Sequence, residues 1–352
     1  MTANGENDRI TVEAGRARAF LADLFSAAGV TGDAAALVAD GLIEADLQGV
    51  PSHGLLQAPT YLRRLRAGTI DGKGTLSLVH SSAAVTVYDA GLALGHAVAK
   101  GAMDRAVETA RTHGLAAVAV RTATHFGVAG RHARVAAEAG MIGIVMCNTR
   151  PMLAAPGGTG AVVGNNPLAI AIPVAGREPI VFDMAMSAVA MGRIRLAAQR
   201  GEAIPPDWAL DASGQPTTDA AAALRGVLRP AAGAKGYGLA LMVDFLCALS
   251  GGSVLGEIAS MYGDPSAPSD CSWLFLTIDP AHFGLTQPYP ERIAGLAASI
   301  LAAPGEASLP GDRKLRAERQ SLGKVVVPRT LADELERLAA EFGSSARLRT
   351  PA

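Results

Sequence analysis

Residues 158–167 read Gly158-Thr-Gly-Ala-Val-Val-Gly164-Asn-Asn-Pro167, and the fold class turns on whether they form a dinucleotide fingerprint. That fingerprint needs a strand leading in, a helix leading out and the spacing G-x-G-x-x-G. Here three residues precede the last glycine, Ala155-Pro156-Gly157 leads in, and Asn165, Asn166 and Pro167 cannot begin a regular helix. The stretch reads as a flexible or substrate-side loop, and a Rossmann domain is set aside. Neither Gly-x-x-x-x-Gly-Lys-Ser/Thr, Gly-x-Ser-x-Gly nor His-Glu-x-x-His occurs, which argues against P-loop nucleotide hydrolysis, an α/β-hydrolase and a zinc protease.

Outward from this loop, strands and helices alternate. Upstream the pattern predicts a strand over Ala84 to Tyr88, a helix over Leu94 to Thr112, a strand over Leu115 to Val120, a helix over Gly130 to Ala139 and a buried strand over Ile142 to Cys147. The Gly/Pro-rich stretch Pro151 to Pro167 follows as loop. Downstream come strands Leu168 to Val174 and Pro179 to Phe182, a helix from Ala185 to Arg200 and a turn-rich segment Ile204 to Asp219. A strongly apolar helix Tyr237 to Leu249, a strand Trp273 to Ile278, a helix Glu291 to Leu301 and a charged helix Leu331 to Phe342 complete the chain. Before the first strand, Thr11 can cap a helix whose apolar positions Ala17, Phe20, Leu21, Leu24 and Phe25 follow helical spacing and which Gly29 closes. A second helix runs from Thr31 to just before Gly49, and a short one surrounds Tyr61.

The 352 residues suggest about two domains. Lys and Arg number 31 against 32 Asp and Glu, so no overall field attracts polyanions, and two Trp, five Tyr and eight Phe leave little for base stacking. Nucleic acid is not expected as a partner. The apolar run Gly238 to Ser250 is shorter than the ~20 residues of a bilayer span and contains Asp244, and the polar start Met1 to Ile10 lacks the order of a secretory signal. We expect a cytoplasmic protein that does not enter membranes. Cys147, Cys247 and Cys271 are odd in number and far apart, reading as small core hydrophobes, and His125 and His132, seven apart with no converging carboxylates, make no metal site.

Four polar residues stand at the ends of apolar segments. His125, in Thr122-Ala-Thr-His125-Phe-Gly, follows a buried strand, where an open α/β sheet places chemistry; its imidazole can give or take a proton near neutrality, though a hydrogen-bonded loop histidine reads the same way. His53, in Ser52-His53-Gly54, suits a turn equally well. Asp183 closes the run Pro179-Ile-Val-Phe182 and suits ribose hydroxyls, the orienting of a catalytic histidine, or a helix cap. Lys235, in Gly233-Ala-Lys-Gly236, stands where a helix start favours anions, or is a solvated surface lysine.

Taken with Ala139-Gly-Met-Ile-Gly-Ile, Gly164-Asn-Asn-Pro, Phe182-Asp-Met-Ala, Ile204-Pro-Pro-Asp-Trp208 and Leu309-Pro-Gly-Asp312, these motifs span nearly the whole chain. They resemble the malate/L-lactate dehydrogenase family of the non-Rossmann type. That group includes ureidoglycolate dehydrogenase, sulfolactate dehydrogenase, diketogulonate reductase and the piperideine- and pyrroline-2-carboxylate reductases. The resemblance implies an α/β, non-Rossmann NAD(P)-binding fold, with an α-helical domain from the N- and C-terminal segments. The expected division is residues 1–75 as an N-terminal helical segment, 76–285 as the central α/β cofactor-binding domain, and 286–352 packing back on the N-terminal helices. It also implies a homodimer, NADPH or NADH as cofactor, and hydride transfer to carbon 2 of a small 2-oxo acid or cyclic imino acid.

By position, the resemblance makes His125 the general acid/base with Ser52 and His53 beside it. Thr149, Asp183, Met184, Ala185, Lys235, Gly236 and the turn Pro310-Gly311-Asp312 become cofactor contacts, and Asn166 lies on the substrate side. Glycines beside these residues, such as Gly54, Gly127, Gly130 and Gly311, read as close-approach turns. One departure bears on specificity. Three residues after the Ser-His-Gly motif the family reads arginine, the expected partner of the substrate carboxylate, and this chain has Gln57. Arginine stands instead at Arg131, usually aromatic in the family, and at Arg150; either can have taken over anion recognition. Two further readings stay open: a specialised imine or ketone reductase without the carboxylate clamp, and a catalytically silent cofactor-binding or scaffold member.

Overall fold

The computed structural model describes residues 8–349, so most of the polar start read above lies outside them. Strand β1 (Arg9–Glu13) opens the described chain by pairing with the last strand, bringing Thr11 opposite Val326 and Val12 opposite Val325. Thr11 is therefore inside a ladder, and Glu13 precedes helix α1 (Ala14–Ala27). β-Branched residues on both partners suit a pleated surface, which outweighs the local capping signal. Helix α2 (Gly32–Leu47) packs on α1, and a tight turn through Ser52 and His53 leads to α3 (Ala58–Ala67).

Strands β2 (Ser77–Ser82) and β3 (Val85–Asp89) form a hairpin, followed by α4 (Gly95–His113), β4 (Leu115–Ala123), α5 (Ala129–Glu138) and β5 (Ile142–Cys147). The Gly/Pro-rich stretch expected as loop contains two paired strands, β6 (Pro151–Ala154) and β7 (Ala161–Gly164). Next come β8 (Leu168–Ile172), β9 (Ile180–Met184) and α6 (Met191–Arg200), which starts six residues later than the pattern suggests. Strand β10 (Ala209–Leu210), α7 (Ala220–Leu224), β11 (Val227–Leu228), α8 (Ala234–Cys247) and β12 (Cys271–Ile278) follow. Helices α9 (Tyr289–Leu301) and α10 (Asp312–Gln320), strand β13 (Lys324–Pro328) and α11 (Arg329–Glu341) complete the described chain.

The main sheet has seven strands in the order β2-β3-β4-β12-β5-β8-β9, and only β3 and β4 run parallel. A doubly wound nucleotide-binding sheet is parallel throughout its core, so the strand directions agree with setting the glycine fingerprint aside. Strand β12 lies between β4 and β5 with Trp273 opposite both Val120 and Cys147, at the centre of the sheet.

Three cores follow. One unites α1, α2 and α3 with β13 and α11 around Phe20, Phe25 and Tyr61. The second packs α4 and α5 on one sheet face around Trp273 and Phe275, and the third packs α6 and α8 on the other. Each enclosed large apolar side chain contributes roughly 1.5–3 kcal/mol. The three cysteines are free and buried in these cores. Within the described residues no helix is long and apolar enough to cross a membrane.

Candidate active site

The N-terminal helical core meets the sheet where the Ser52-His53 turn faces the loop after β4. That turn is held by Asp46 at the end of α2, whose Oδ2 accepts the Leu55 N–H at 2.8 Å. Burial pushes the Asp46 carboxyl up to about 7, against the lowering effect of that bond. Ser52 Oγ lies 3.0 Å from His53 Nδ1, and the His53 ring stacks on His125 with centroids 5.4 Å apart.

Behind His125 stands Tyr61 of α3, fully buried, its hydroxyl 2.5 Å from His125 Nδ1 and 3.3 Å from Nε2 of the buried His96. Burial comes first, and the neighbouring imidazoles second, in holding the His125 ring well below its usual range. The same causes bring His96 down to about 3, burial brings His132 to about 4, and burial also lowers His53. All four rings are neutral at pH 7. His125 Nε2 meets no protein partner among the described residues.

Gln57 is buried beside this group; its Nε2 donates to Ser52 O at 2.5 Å and to the Tyr262 hydroxyl at 2.7 Å, and its Oε1 has no partner. Tyr262 sits in a loop that the buried Arg64 organises by donating to the carbonyls of Ser260, Met261 and Ala267. The guanidinium of Arg195, on α6, stands over the Tyr262 ring at 5.1 Å. Arg150 lies close enough to feel both. Burial first, then the Arg195 charge, lowers its guanidinium from the usual value, with Tyr262 opposing. Its one hydrogen bond goes to the Pro151 carbonyl at 3.4 Å, and no carboxylate among the described residues pairs with it.

Arg131 is placed differently. It is saturated by two acids of α2, Asp40 at 2.6 Å and Glu44, and Arg134 also pairs with Glu44 at 2.7 Å. Asn166 is fully enclosed; it accepts from Thr149 N and donates to Ala240 O and Asp244, so it holds β7, α8 and the loop after β5 together. Thr149 Oγ1 accepts from Asn165 N in the same framework.

Among the residues expected to meet a cofactor, Asp183 lies within β9 and pairs with Lys314 of α10 at 2.6 Å, so it caps no helix. Met184 and Ala185 continue from it. Asp312 binds Arg177 at 2.7 Å and accepts from Leu309 N, and the Pro310 carbonyl accepts from Val181 N. Gly311 and Gly130 press on β9 so closely that a methyl group on either would meet Val181. Lys235 is exposed in the first turn of α8 without a carboxylate partner among the described residues, and Gly236 packs against the Ala231 carbonyl. An exposed lysine at the positive end of a 14-residue helix suits a diphosphate, so this donor set fits a dinucleotide. Groups of three or more metal-ligating side chains do not occur among the described residues.

Sequence reasoning misses Tyr61, His96, Asp46, Arg195, Tyr262 and Lys314 as site residues. The first two fall in apolar helical patterns that read as core, and the others carry their meaning only through partners distant in sequence.

The family described as malate/L-lactate dehydrogenase matches residues 12–336. A (2R)-3-sulfolactate dehydrogenase (NADP(+)) of Chromohalobacter salexigens is 39% identical over 317 residues, covering 89% of this chain and 93% of that one. The structure of sulfolactate dehydrogenase from Methanocaldococcus jannaschii superposes with a TM-score of 0.90 at 32% identity, covering 96% of this chain and 98% of the other. That of delta1-piperideine-2-carboxylate reductase from Pseudomonas syringae gives 0.86 at 30% identity, covering 94% and 100%.

Proposed function

Since the chain belongs to the malate/L-lactate dehydrogenase family, we propose that it is an NAD(P)H-dependent oxidoreductase acting at carbon 2 of a small 2-oxo acid or cyclic imino acid. The observation that carries this reading is His125: a neutral imidazole at the end of a central strand, stacked on His53 and with Nε2 free of protein partners. The nicotinamide, when bound, supplies or receives the hydride at that carbon. In the reducing direction His125 takes up a solvent proton, delivers one proton from Nε2 to the carbonyl oxygen or imine nitrogen as imidazolium and returns to the neutral ring, which avoids a free alkoxide or amide anion. Ser52 and His53 line the substrate side. Lys235 and the first turn of α8 would hold the diphosphate, with Asp183, Met184 and Ala185 along the nucleotide.

Gln57 cannot supply a positive charge, and Arg131 is already neutralised by Asp40 and Glu44. The reading therefore assigns the substrate anion to Arg150 and Arg195, joined to the Ser52 turn through Tyr262 and Gln57. Homodimer formation is supported by the outer face of α8 and the turn after it, where Leu239, Met242, Phe245, Leu246 and Leu249 are between 42% and 66% exposed.

The test is direct. NADH and NADPH are titrated by nucleotide fluorescence, and oxidation of whichever binds is followed with a panel of 2-oxo acids and cyclic imino acids. Binding and turnover with at least one member of the panel are expected; binding of neither nucleotide would overturn the proposal.

A further inference from the structure

Tyr61 and His96 lie behind His125, and no step of the proposed reaction uses them. The Tyr61 hydroxyl holds one proton between two ring nitrogens, 2.5 Å from His125 Nδ1 and 3.3 Å from His96 Nε2. With neutral rings, two continuous arrangements exist. In one, Tyr61 donates to His125 Nδ1 and accepts the Nε2–H of His96, which leaves a bare lone pair at His96 Nδ1. In the other, His125 donates from Nδ1, Tyr61 donates to His96 Nε2, and His96 carries its proton on Nδ1.

His96 Nδ1 decides between them. It is buried and has no hydrogen-bond partner among the described residues. The ring is closely packed there: Gly41 flanks Nδ1 and Gly127, at φ 82°, flanks Cε1, each so near that a single methyl group would collide with the ring. A stranded N–H in so closely packed a site is costlier and rarer than an unmatched acceptor. The first arrangement therefore holds, and the shorter of the two contacts is the one in which the hydroxyl donates.

We propose that Tyr61 and His96 are positioning residues that keep the proton of neutral His125 on Nε2, the nitrogen left free for the substrate. His125 then meets a carbonyl oxygen or imine nitrogen as a hydrogen-bond donor, polarising the bond to which hydride adds. The titratable groups around it are His53 on its face, with Tyr61, His96 and His132 behind, and none is charged at neutral pH. This inference rests on the acid/base reading of His125, but its test needs no turnover.

The test is a nitrogen-15 spectrum of histidine-labelled protein at pH 7.5, without substrate, with His125 assigned through His125→Asn. Wild type should show the proton on Nε2 and an Nδ1 that accepts a hydrogen bond. In Tyr61→Phe, Nδ1 should move to the unbonded position and the His125 pKa should rise by about one unit, because a bond to the neutral form is lost. A buried phenyl ring replaces the phenol, so burial alone predicts no rise. His96→Leu should move both in the same direction by less, and together with the wild-type spectrum it decides the matter should Tyr61→Phe not fold. A proton on His125 Nδ1 in wild type overturns the proposal, as does a His125 signal indifferent to both substitutions.

Discussion

Arg131 and Arg150 are partly buried arginines, both standing where the family resemblance invites a ligand. Around Arg131, Arg18 and Arg134, three carboxylates, Asp40, Glu44 and Glu138, answer the three guanidinium charges. Around Arg150 the nearest charge is another arginine, and its one bond is a long one to a backbone carbonyl. The seam between α2 and α5 is thus a finished electrostatic structure that joins the helical unit to the sheet. On the Arg150 side no carboxylate among the described residues pairs with the guanidinium. The presence of a cation says little about recognition; whether its charge is already balanced says much more.

The contrast can be broken most forcefully at the reacting end. His125→Asn should lower turnover by ~10²–10⁴-fold while NAD(P)H binding and the unfolding midpoint stay put; near wild-type turnover would remove the acid/base assignment. In the seam, Glu44→Ala leaves Arg131 only the Asp40 carboxylate that Arg18 shares and should cost about 3 kcal/mol of stability in denaturant unfolding, with KM for the oxidised or reduced substrate unchanged in the folded fraction. Arg150→Ala should do the reverse, raising substrate KM by roughly 10–100-fold with little change in stability. If Arg131→Ala raises KM and Arg150→Ala does not, the two regions have been assigned the wrong way round.

Acidity gives a smaller, opposed pair of effects. His96 and His132 have folded pKa values of about 3 and 4, below the unfolded 6.5, so their contribution to stability is complete above 6.5 and is lost as pH falls towards those values. Asp46 runs the other way. Its pKa is raised to about 7, so the stability tied to its protonated form is present below the unfolded 3.8 and lost as pH rises through 7. The windows overlap below pH 6.5, where two histidines outweigh one carboxyl, so unfolding midpoints should climb from pH 4 to 6.5 and level off above about 7. Asp46→Asn, which keeps an acceptor for Leu55 N, removes the opposing effect and should steepen that acid-side climb.

Periodicity makes the central strands and helices legible, because β4, β5, β8 and β12 are buried runs with clear ends. It does not reach β2, whose six residues are all exposed, nor β6 and β7, whose glycines and prolines mask a hairpin. The site divides in the same way. His125 and Ser52-His53 stand out because polar residues interrupt apolar segments. Tyr61 does not, since a tyrosine in an amphipathic helix looks like core until the histidines on either side of its hydroxyl are seen. Likewise, Arg131 can be told from Arg150 only once Asp40 and Glu44 are in place.

The pairing of β1 with β13 has a temporal meaning as well as a spatial one. The helical core that carries Ser52, His53 and Tyr61 includes Val325, Val327 and Leu335, which follow the whole of the main sheet along the chain. A growing chain can form the sheet and present His125 long before it can close the unit that supplies the opposite wall. Contacts of such long sequence separation are slow to form, so the assembly of the site waits for β13 and α11, and until they dock the chain holds its histidine over an open interface.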